Sequence, residues 1–519
     1  MEIQLGDVFG FWGSQLNAYA ACQITHIMPA DKPGNKDSYA AVMLHWTGIE
    51  LPSIEQLKQV KPLVINFYFW GDDLDHVISG GPIPADYTYI GNLDVLAEEM
   101  PRSYGDWNWG DKLYRQLQWE RIPEDKRLNF KAASKADYSQ QVEISGVMVQ
   151  WGCRSLYLDR IPDLTDYKEL DRLPCLTSLT LFDWNPGLES YIRTHHFIYK
   201  LELKLKATVE QIDLQHTPIT EMTINPQNIQ ELLVPNELER LTIEGSLQHN
   251  VHMHHEREGR DITLRLNDGA AQSYRLLSGL THLSGLELCS VDDIDLGDVI
   301  DRFPSLQRLR IWGKPGYIRG MEQLYRLKQL RIFTTMEMFG FSGEQFPEAH
   351  QLPQLHTLWL TSLPADAAKT IKQAYKQAAR QGLDLSIRQP RKPEWLADNL
   401  DNPFRAWDGR EGITAAQAKK AASLYKQIRG QLRELVDQAQ KGEISSEEVQ
   451  QQLEYIFTTY IEGFNKLDKR KVFIYTEERE EIFEAVTPAL SGIVKELKAI
   501  QIEINEHALW EYTDQLRDF

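Results

Sequence analysis

Leu280-Thr-His-Leu-Ser-Gly-Leu-Glu-Leu288 is the stretch that decides the fold, because its apolar pattern returns again and again over residues 153–387. The pattern places leucine-like residues three, three and then two positions apart. A helix cannot keep all of these side chains on one face, since the closing pair alternates as in a β-strand. The pattern therefore predicts a bend that leads into a short strand. Its clearest other copies begin at Leu173, Phe303, Leu324 and Leu352.

Weaker copies fill the intervals, and the first strand residue of each copy marks the repeat length. These residues are Leu156, Leu179, Leu201, Met222, Leu241, Ile262, Leu286, Leu309, Leu330, Leu358 and Leu383. The steps between them run from 19 to 28 residues. The spacing resembles the leucine-rich-repeat family, whose units of about 20 to 29 residues each contain one strand and a helical or irregular return. The resemblance implies a solenoid over residues 141–388, which begins with a strand or hairpin cap between Val142 and Val149.

One departure from the family pattern concerns the third residue after the second strand leucine. The family usually carries Asn or Cys there, whereas this chain has residues such as Trp184 and Lys206. Without a buried asparagine ladder, we expect an irregular horseshoe. The register stays open over residues 206–236, where Ile212/Leu214 and Leu232/Val234 compete as strands.

Composition and charge limit the function classes. The 519 residues are 42% hydrophobic and 25% charged, which is typical of a soluble globular protein with several domains. A net charge of −19 argues against nucleic-acid binding through phosphate contacts. The longest apolar run, Leu63–Trp70, contains Asn66 and is too short for a membrane span, and the chain starts with no signal-peptide pattern. We therefore expect a cytoplasmic protein, with buried free thiols and no disulfide framework.

Residues 1–70 contain short apolar strands between turns and predict a small β-barrel. Leu5-Gly-Asp-Val-Phe-Gly-Phe11 and Tyr19-Ala-Ala-Cys-Gln-Ile24 resemble the small barrel at the start of some bacterial toxin-immunity proteins. The resemblance implies that this chain neutralises a toxin. Turn chemistry alone is the other explanation of the same residues.

Residues 71–140 form an aromatic, Gly/Pro-rich connecting segment. Trp107, Trp109 and Trp119 fall within about a dozen positions of one another. Such a cluster can line a ligand pocket, but it more often holds a connecting segment against neighbouring domains, and we favour the second interpretation.

The C-terminal part changes to a period of 3.6 residues. A proline-rich linker is predicted at 389–413 and an antiparallel three-helix bundle at 414–519, with helices near 414–441, 445–467 and 476–512. Ser445 and Glu448 form a capping-box pair. Acidic residues at 477–481 suit the positive end of a helix dipole, and a docking surface for a basic partner is the alternative.

Enzyme signatures are absent from the sequence: no phosphate-binding P-loop, nucleophile elbow, metalloprotease or dinucleotide motif occurs. A ubiquitin-ligase domain of the kind that follows some bacterial leucine-rich repeats would need a cysteine nucleophile, and the last cysteine is Cys289. The run His249-Asn-Val-His-Met-His-His255 is typical of an excursion between repeats that binds metal only opportunistically. We therefore predict no enzyme activity, no cofactor and no resident metal.

These observations together predict a multidomain α+β protein that binds another protein. The preferred hypothesis is an immunity protein that neutralises a cognate bacterial toxin. The alternative is an intracellular leucine-rich-repeat scaffold or regulator, and a hydrolase within residues 71–140 is a third hypothesis. No nucleic-acid or membrane partner is expected.

A candidate binding surface follows from strand alternation, because the residues between and beside the strand leucines face the open side of the sheet. Down the stack these positions change from threonine to arginine and tryptophan, which are enriched where binding energy concentrates. The predicted partner-binding residues are Arg308, Arg310, Trp312, Arg331, Phe333 and Trp359. The alternative is that the helical bundle folds back and covers them.

Overall fold

The computed structural model describes residues 3–29, 37–79, 83–84, 86–105, 107, 110–267, 270–469 and 472–519. The chain is a mixed α/β protein that divides into two compact units, Met1–Pro390 and Arg391–Phe519. The first unit contains the sheets, including a long parallel one, and the second is helical. None of the helices within the described ranges is long and apolar enough to cross a membrane.

The first unit begins with a six-stranded sheet. Its strands are β1 Asp7–Gly13, β2 Ala18–Met28, β3 Ser38–Gly48, β6 His76–Ser79, β7 Thr88–Asn92 and β8 Tyr104–Gly105. They lie side by side in the order β7-β1-β2-β3-β6-β8. Phe9, Phe11 and Ile24 alternate into its apolar core. The sheet differs from the barrel predicted for residues 1–70 in two ways: its order within the described residues is linear, and three strands come from the segment predicted to be a connection. Those strands join the sheet because one of its faces is buried. They were not predicted because such short segments show no strong period in the sequence.

Three helices and a short hairpin complete this part of the unit. The elements are α1 Ile54–Leu57, β4 Val64–Ile65, β5 Asp73–Leu74, α2 Asp111–Arg121 and α3 Glu124–Ser134. Trp119 is buried, with its ring centroid 5.4 Å from that of Phe130 and 5.7 Å from that of Phe197 in the repeats. Trp119 therefore packs the N-terminal elements onto the repeats. Trp107 lies against Tyr87 at 5.8 Å, and the predicted cluster member Trp109 lies outside the described residues.

An antiparallel hairpin precedes the repeats and consists of β9 Gln141–Ile144 and β10 Val147–Gln150. Its turn contains Ser145 and Gly146, both with positive φ. Ile144 is completely buried in the core of the repeats.

The repeats build an eleven-stranded parallel sheet. Its strands, in spatial order, are β11 Ser155–Tyr157, β12 Ser178–Leu181, β13 Lys200–Leu203, β15 Glu221–Ile224, β17 Arg240–Glu244, β19 Thr263–Asn267, β21 Gly285–Asp295, β22 Arg308–Arg319, β23 Ile332–Phe339, β24 Thr357–Pro364 and β25 Asp384–Arg391. Spatial order follows sequence order, so each repeat adds one strand beside the last. The strand leucines of successive repeats are aligned, as in Leu179 beside Leu201 and Leu286 beside Leu309.

A second parallel sheet of four strands explains the segment whose register the sequence leaves open. Its strands are β14 Val209–Asp213, β16 Ile229–Leu233, β18 Val251–His254 and β20 Leu277–Ser278. Ile212 and Leu232 are buried in the same core as Leu203 and Ile224 of the long sheet. The two sets of apolar residues do not compete, because over this segment each repeat supplies one strand to each sheet.

Outside this segment the return from one strand to the next is helical. The α-helical returns are α4 Pro186–Thr194, α5 Leu296–Arg302, α6 Ala365–Ala374 and α7 Lys376–Arg380. Short 3-10 turns occupy Leu158–Arg160, Tyr167–Arg172, Met321–Arg326, Gly343–Gln345 and Ala349–Gln351. Two further 3-10 turns, Pro226–Asn228 and Ala270–Leu276, lie within the segment of the second sheet. Asn185 and Asp295 begin α4 and α5, and each side chain accepts a backbone N–H of the first turn.

The second unit contains α8 Pro393–Asn399, a 3-10 turn Pro403–Trp407, α9 Ala415–Gln440, α10 Ser446–Asp468, α11 Thr476–Ala499 and α12 Glu506–Gln515. The segment predicted as a linker, 389–413, instead contributes Phe404 and Trp407 to the core. The predicted third helix is two helices, separated at Gln501, whose φ is +65°.

The acidic run at 477–481 has a structural partner inside this unit. Arg410 donates to Glu478 at 3.1 Å and to Glu481 at 2.7 Å, and Trp407 Nε1 donates to Glu481 at 2.6 Å. These contacts join the segment before α9 to the first turns of α11. The capping box of Ser445 and Glu448 is present at the start of α10.

Candidate protein-binding surface

Alternation along the long parallel sheet places one residue of each strand at the centre of its outer face. Pairing between neighbouring strands gives this central column as Tyr157, Thr180, Glu202, Thr223, Thr242, Arg265, Glu287, Arg310, Thr334 and Trp359. The column changes character at Arg265, where threonine gives way to charged and aromatic side chains.

A cluster of paired charges lies at Arg265, where the central column changes character. Glu287, only 7% exposed, accepts from Arg310 Nη1 at 3.3 Å and lies 3.8 Å from Arg265 Nη1. The guanidinium carbons of Arg265 and Arg310 lie 5.5 Å and 5.4 Å from the centroid of a Trp312 ring. Arg310 Nε also donates to Thr334 Oγ1 at 3.3 Å. Glu287 therefore holds two arginines in place against one indole.

Large apolar side chains lie beside this cluster on the same face. Trp312 and Met336 are paired positions on adjacent strands, and Met336 is 41% exposed. Trp359 is 45% exposed and donates its indole N–H to Asp384 Oδ2 at 2.9 Å. We name the set Arg265, Glu287, Arg308, Arg310, Trp312, Met336 and Trp359 the Trp–Arg patch.

Four of the six residues predicted from the sequence lie on this outer face, namely Arg308, Arg310, Trp312 and Trp359. Arg331 is exposed but lies in the turn before β23, where its backbone N–H donates to the Gln307 carbonyl at 2.7 Å. Phe333 requires a correction, because it is 0% exposed and pairs with the inward Leu309.

The error at Phe333 is one of register. Leu324, Leu327, Leu330 and Phe333 continue the three-residue step, so the closing pair of this repeat is Phe333/Thr335 and not Leu330/Ile332. Taking Ile262 as the first strand residue is the same slip, because it would place Thr263 in the central column, where the structure has Arg265. Met336 was missed for the same reason, and aligning each repeat by its neighbours would have found both residues.

The histidine run forms part of β18 on the second sheet. The rings of His252 and His254 are 4.1 Å apart, and they bond Ser278 Oγ and Glu231 Oε1, each at 2.6 Å. Across the part of the chain that the structure describes, no group of three or more His, Cys, Asp or Glu residues could hold a metal ion. The two histidines thus have protein partners in neighbouring strands.

Comparison with known proteins adds little to this geometry. No protein-family model matches the chain, and no curated protein matches it. Among solved structures, the chain is similar to an internalin from Listeria monocytogenes, at 15% identity and a TM-score of 0.23. That similarity covers 45% of this chain and 71% of the internalin. Because the score is low, the long parallel sheet is defined by its own strand pairing.

Proposed function

We propose that this chain is a non-catalytic protein-binding scaffold, similar in plan to leucine-rich-repeat proteins, and that the Trp–Arg patch contacts its partner. The observation that carries the proposal is the exposure of Met336 and Trp359, 41% and 45%, on a regular sheet face beside ordered arginines. Large apolar side chains grouped on a surface are commonly binding sites, since their exposure to water is unfavourable.

The patch has the chemistry of a concentrated binding site. Tryptophan and arginine bury a large area while still satisfying polar partners, and interfaces are enriched in both. Glu287 and Thr334 already hold Arg310, so little side-chain freedom is lost when a partner binds.

The charges around the patch favour an acidic partner surface. Arg308 and Arg331 have no carboxylate partner among the described residues, although the whole chain carries a net charge of −19. Carboxylates on the partner can pair with these guanidinium groups in a planar, two-point geometry. We therefore propose a protein partner that presents acidic side chains around an apolar centre.

Comparative pull-down from extracts of the source cells tests the proposal. The bait is the full chain, either unchanged, as the triple variant Arg310→Ala/Trp312→Ala/Trp359→Ala, or as the control Thr180→Ala/Thr223→Ala/Thr242→Ala. We expect a partner that the unchanged chain and the control retain and the patch variant loses. The same proteins recovered with all three baits would overturn the assignment of this surface.

Neutralisation of a cognate toxin is a narrower form of this proposal. Its support is the N-terminal resemblance, carried by Leu5–Phe11 and Tyr19–Ile24. Co-expression with the toxin encoded by a neighbouring gene tests it directly, and we expect rescue of the poisoned cell and a stable complex. A scaffold or regulator would retain its partner but give no rescue.

A further inference from the structure

An aromatic loop in the N-terminal part of the first unit encloses a cleft that the scaffold function does not use. The loop follows β4 and contains four consecutive aromatic residues, Phe67-Tyr-Phe-Trp70. This stretch belongs to the apolar run Leu63–Trp70, whose strand ends at Ile65. A cavity of about 250 Å³ is lined by Phe67, Tyr68, Phe69, Trp70, Arg115 and Tyr199. Arg115 belongs to α2 and Tyr199 to the repeats.

The loop is fixed in one conformation by hydrogen bonds from two neighbouring helices. Lys131 Nζ donates to the carbonyls of Tyr68 and Trp70 at 2.6 and 2.7 Å. Gln116 accepts the Asn66 backbone N–H and donates to its side-chain oxygen, both at 2.9 Å. These contacts hold Tyr68 at φ +47°, a left-handed conformation that costs a non-glycine residue free energy. The cleft is therefore formed before any ligand arrives.

Hydrogen-bond donors face the cleft with few acceptors to balance them. Arg115 uses Nη2 for Glu239 at 2.8 Å, which leaves other guanidinium N–H groups free to donate. Within the described ranges, the Tyr68 hydroxyl has no hydrogen-bond partner. Burial raises the pKa of Tyr68 to about 12, so its phenol stays protonated at neutral pH and acts as a donor. Tyr68 and Tyr199 form one wall, with their ring centroids 5.0 Å apart.

The rim carries a second guanidinium group, that of Arg154. Arg154 is exposed and lies on the Phe69 ring, 3.8 Å from its centroid, and it pairs with no acidic side chain among the described residues. Stacking leaves the edge of the guanidinium free to bind two oxygens of one anion. Two other charged groups nearby already have partners, since Lys112 pairs with Asp75 at 2.6 Å and Asp72 accepts a hydrogen bond from the neutral Asn66 amide at 3.0 Å.

We propose that this cleft binds a carboxylate carried by a small aromatic body, with the ring among Tyr68, Tyr199 and Trp70 and the carboxylate on Arg154 and Arg115. The cavity volume suits one aromatic side chain, and the donors suit the two oxygens of a carboxylate. A free aromatic acid and the C-terminal phenylalanine of a peptide share this chemistry. The site is separate from the Trp–Arg patch and does not depend on the proposed scaffold function.

Isothermal titration calorimetry of the full chain tests the proposal. The probe is 3-phenylpropionate, and the control is its amide, which has the same ring but no charge. We expect the carboxylate to bind at least about tenfold more tightly than the amide, because the amide cannot form the charge-assisted pair. A peptide ending in free Phe and its C-terminal amide form the second arm. Binding of the peptide acid alone would identify a chain end as the ligand, and binding of both acids would show that the carboxylate suffices.

Three variants locate the site. Arg154→Ala should weaken binding of the carboxylate about tenfold with no change in melting temperature, since its side chain is exposed. Tyr68→Phe keeps the ring and removes the free hydroxyl, and we expect a loss of severalfold. Arg160→Ala is the matched control, because Arg160 is an exposed arginine 5.0 Å from the ring centroid of Tyr157, which does not line the cleft, whereas Arg154 lies on Phe69, which does. Equal binding of acid and amide, no binding of any probe, or equal effects of Arg154→Ala and Arg160→Ala would overturn the proposal.

Discussion

The two halves of the long parallel sheet share a backbone but differ in the side chains on its outer face. From β12 to β17 the central column is mostly threonine, at Thr180, Thr223 and Thr242, whereas from β19 onward it contains Arg265, Glu287, Arg310 and Trp359. Inward positions do not change in this way and stay apolar in both halves, as at Leu201, Leu309 and Phe333.

This difference separates the residues that build the fold from those available for recognition. Inward leucines are interchangeable between repeats because each fills the same slot against its neighbours. Outward residues do not fill the core, so core packing does not explain why their character changes between the two halves. Binding of a partner does explain it. Experiments that treat the two faces and the two halves separately test this division.

The largest effect should come from the inward face of the C-terminal half. We expect Phe333→Ala to lower the free energy of unfolding by about 3–5 kcal/mol, because it leaves a cavity where a fully buried ring packs near Phe346. Arg331→Ala, two residues away and exposed, should change it by less than about 0.5 kcal/mol. Urea denaturation of the full chain measures both. Equal losses in the free energy of unfolding for the two variants would indicate that Phe333 lies on the outer face.

A smaller loss of stability should follow from removing Glu287, which pairs two arginines. We expect Glu287→Ala to cost about 1–3 kcal/mol, because Arg265 and Arg310 then lie close together without their shared carboxylate. Glu202 is the matched residue in the N-terminal half. Its side chain is more exposed, 20% against 9%, and Glu202→Ala should cost under about 1 kcal/mol. The comparison fails if the two losses are equal.

Binding should depend on the C-terminal half alone. We expect Arg310→Ala, Trp312→Ala and Trp359→Ala each to weaken the partner complex by about 1–3 kcal/mol without altering the fold. Thr242→Ala, at the same position of the column, should change affinity by less than about 0.5 kcal/mol. Surface plasmon resonance with the purified partner measures these differences. Unchanged affinity in all three variants, or a drop in melting temperature that accounts for the loss, would reject the patch.

Salt should have the smallest effect on affinity. The unpaired arginines attract an acidic partner over a distance, so raising salt from about 50 to about 300 mM should slow association. Burial of Trp359 and Met336 does not depend on screening, so we expect the dissociation constant to rise less than about tenfold. A collapse of affinity by many orders of magnitude would show that charge pairing, and not the apolar centre, holds the complex.

Strong periodicity made much of the long parallel sheet predictable, and the weakness of the periodicity elsewhere explains what was missed. Leu179, Leu286 and Leu358 each follow the full pattern, and the strands lie where the sequence places them. The N-terminal sheet was placed too early in the chain because His76–Ser79 and Thr88–Asn92 are too short to show a period. In the predicted linker, Phe404 and Trp407 carry no local sign of the helices that bury them.

The sequence by itself determined that apolar residues recur at a repeat length, since every repeat must fill the same slot in one core. Tertiary structure decided the register at Leu330, because leucines three residues apart fit two frames within that repeat and the hydrogen bonds from neighbouring strands select one of them. It also decided that Ile212 and Leu232 form a second sheet, and that Phe67–Trp70 turns away from its strand to meet Arg115 and Tyr199. Such contacts join residues far apart in the chain, and no local pattern encodes them.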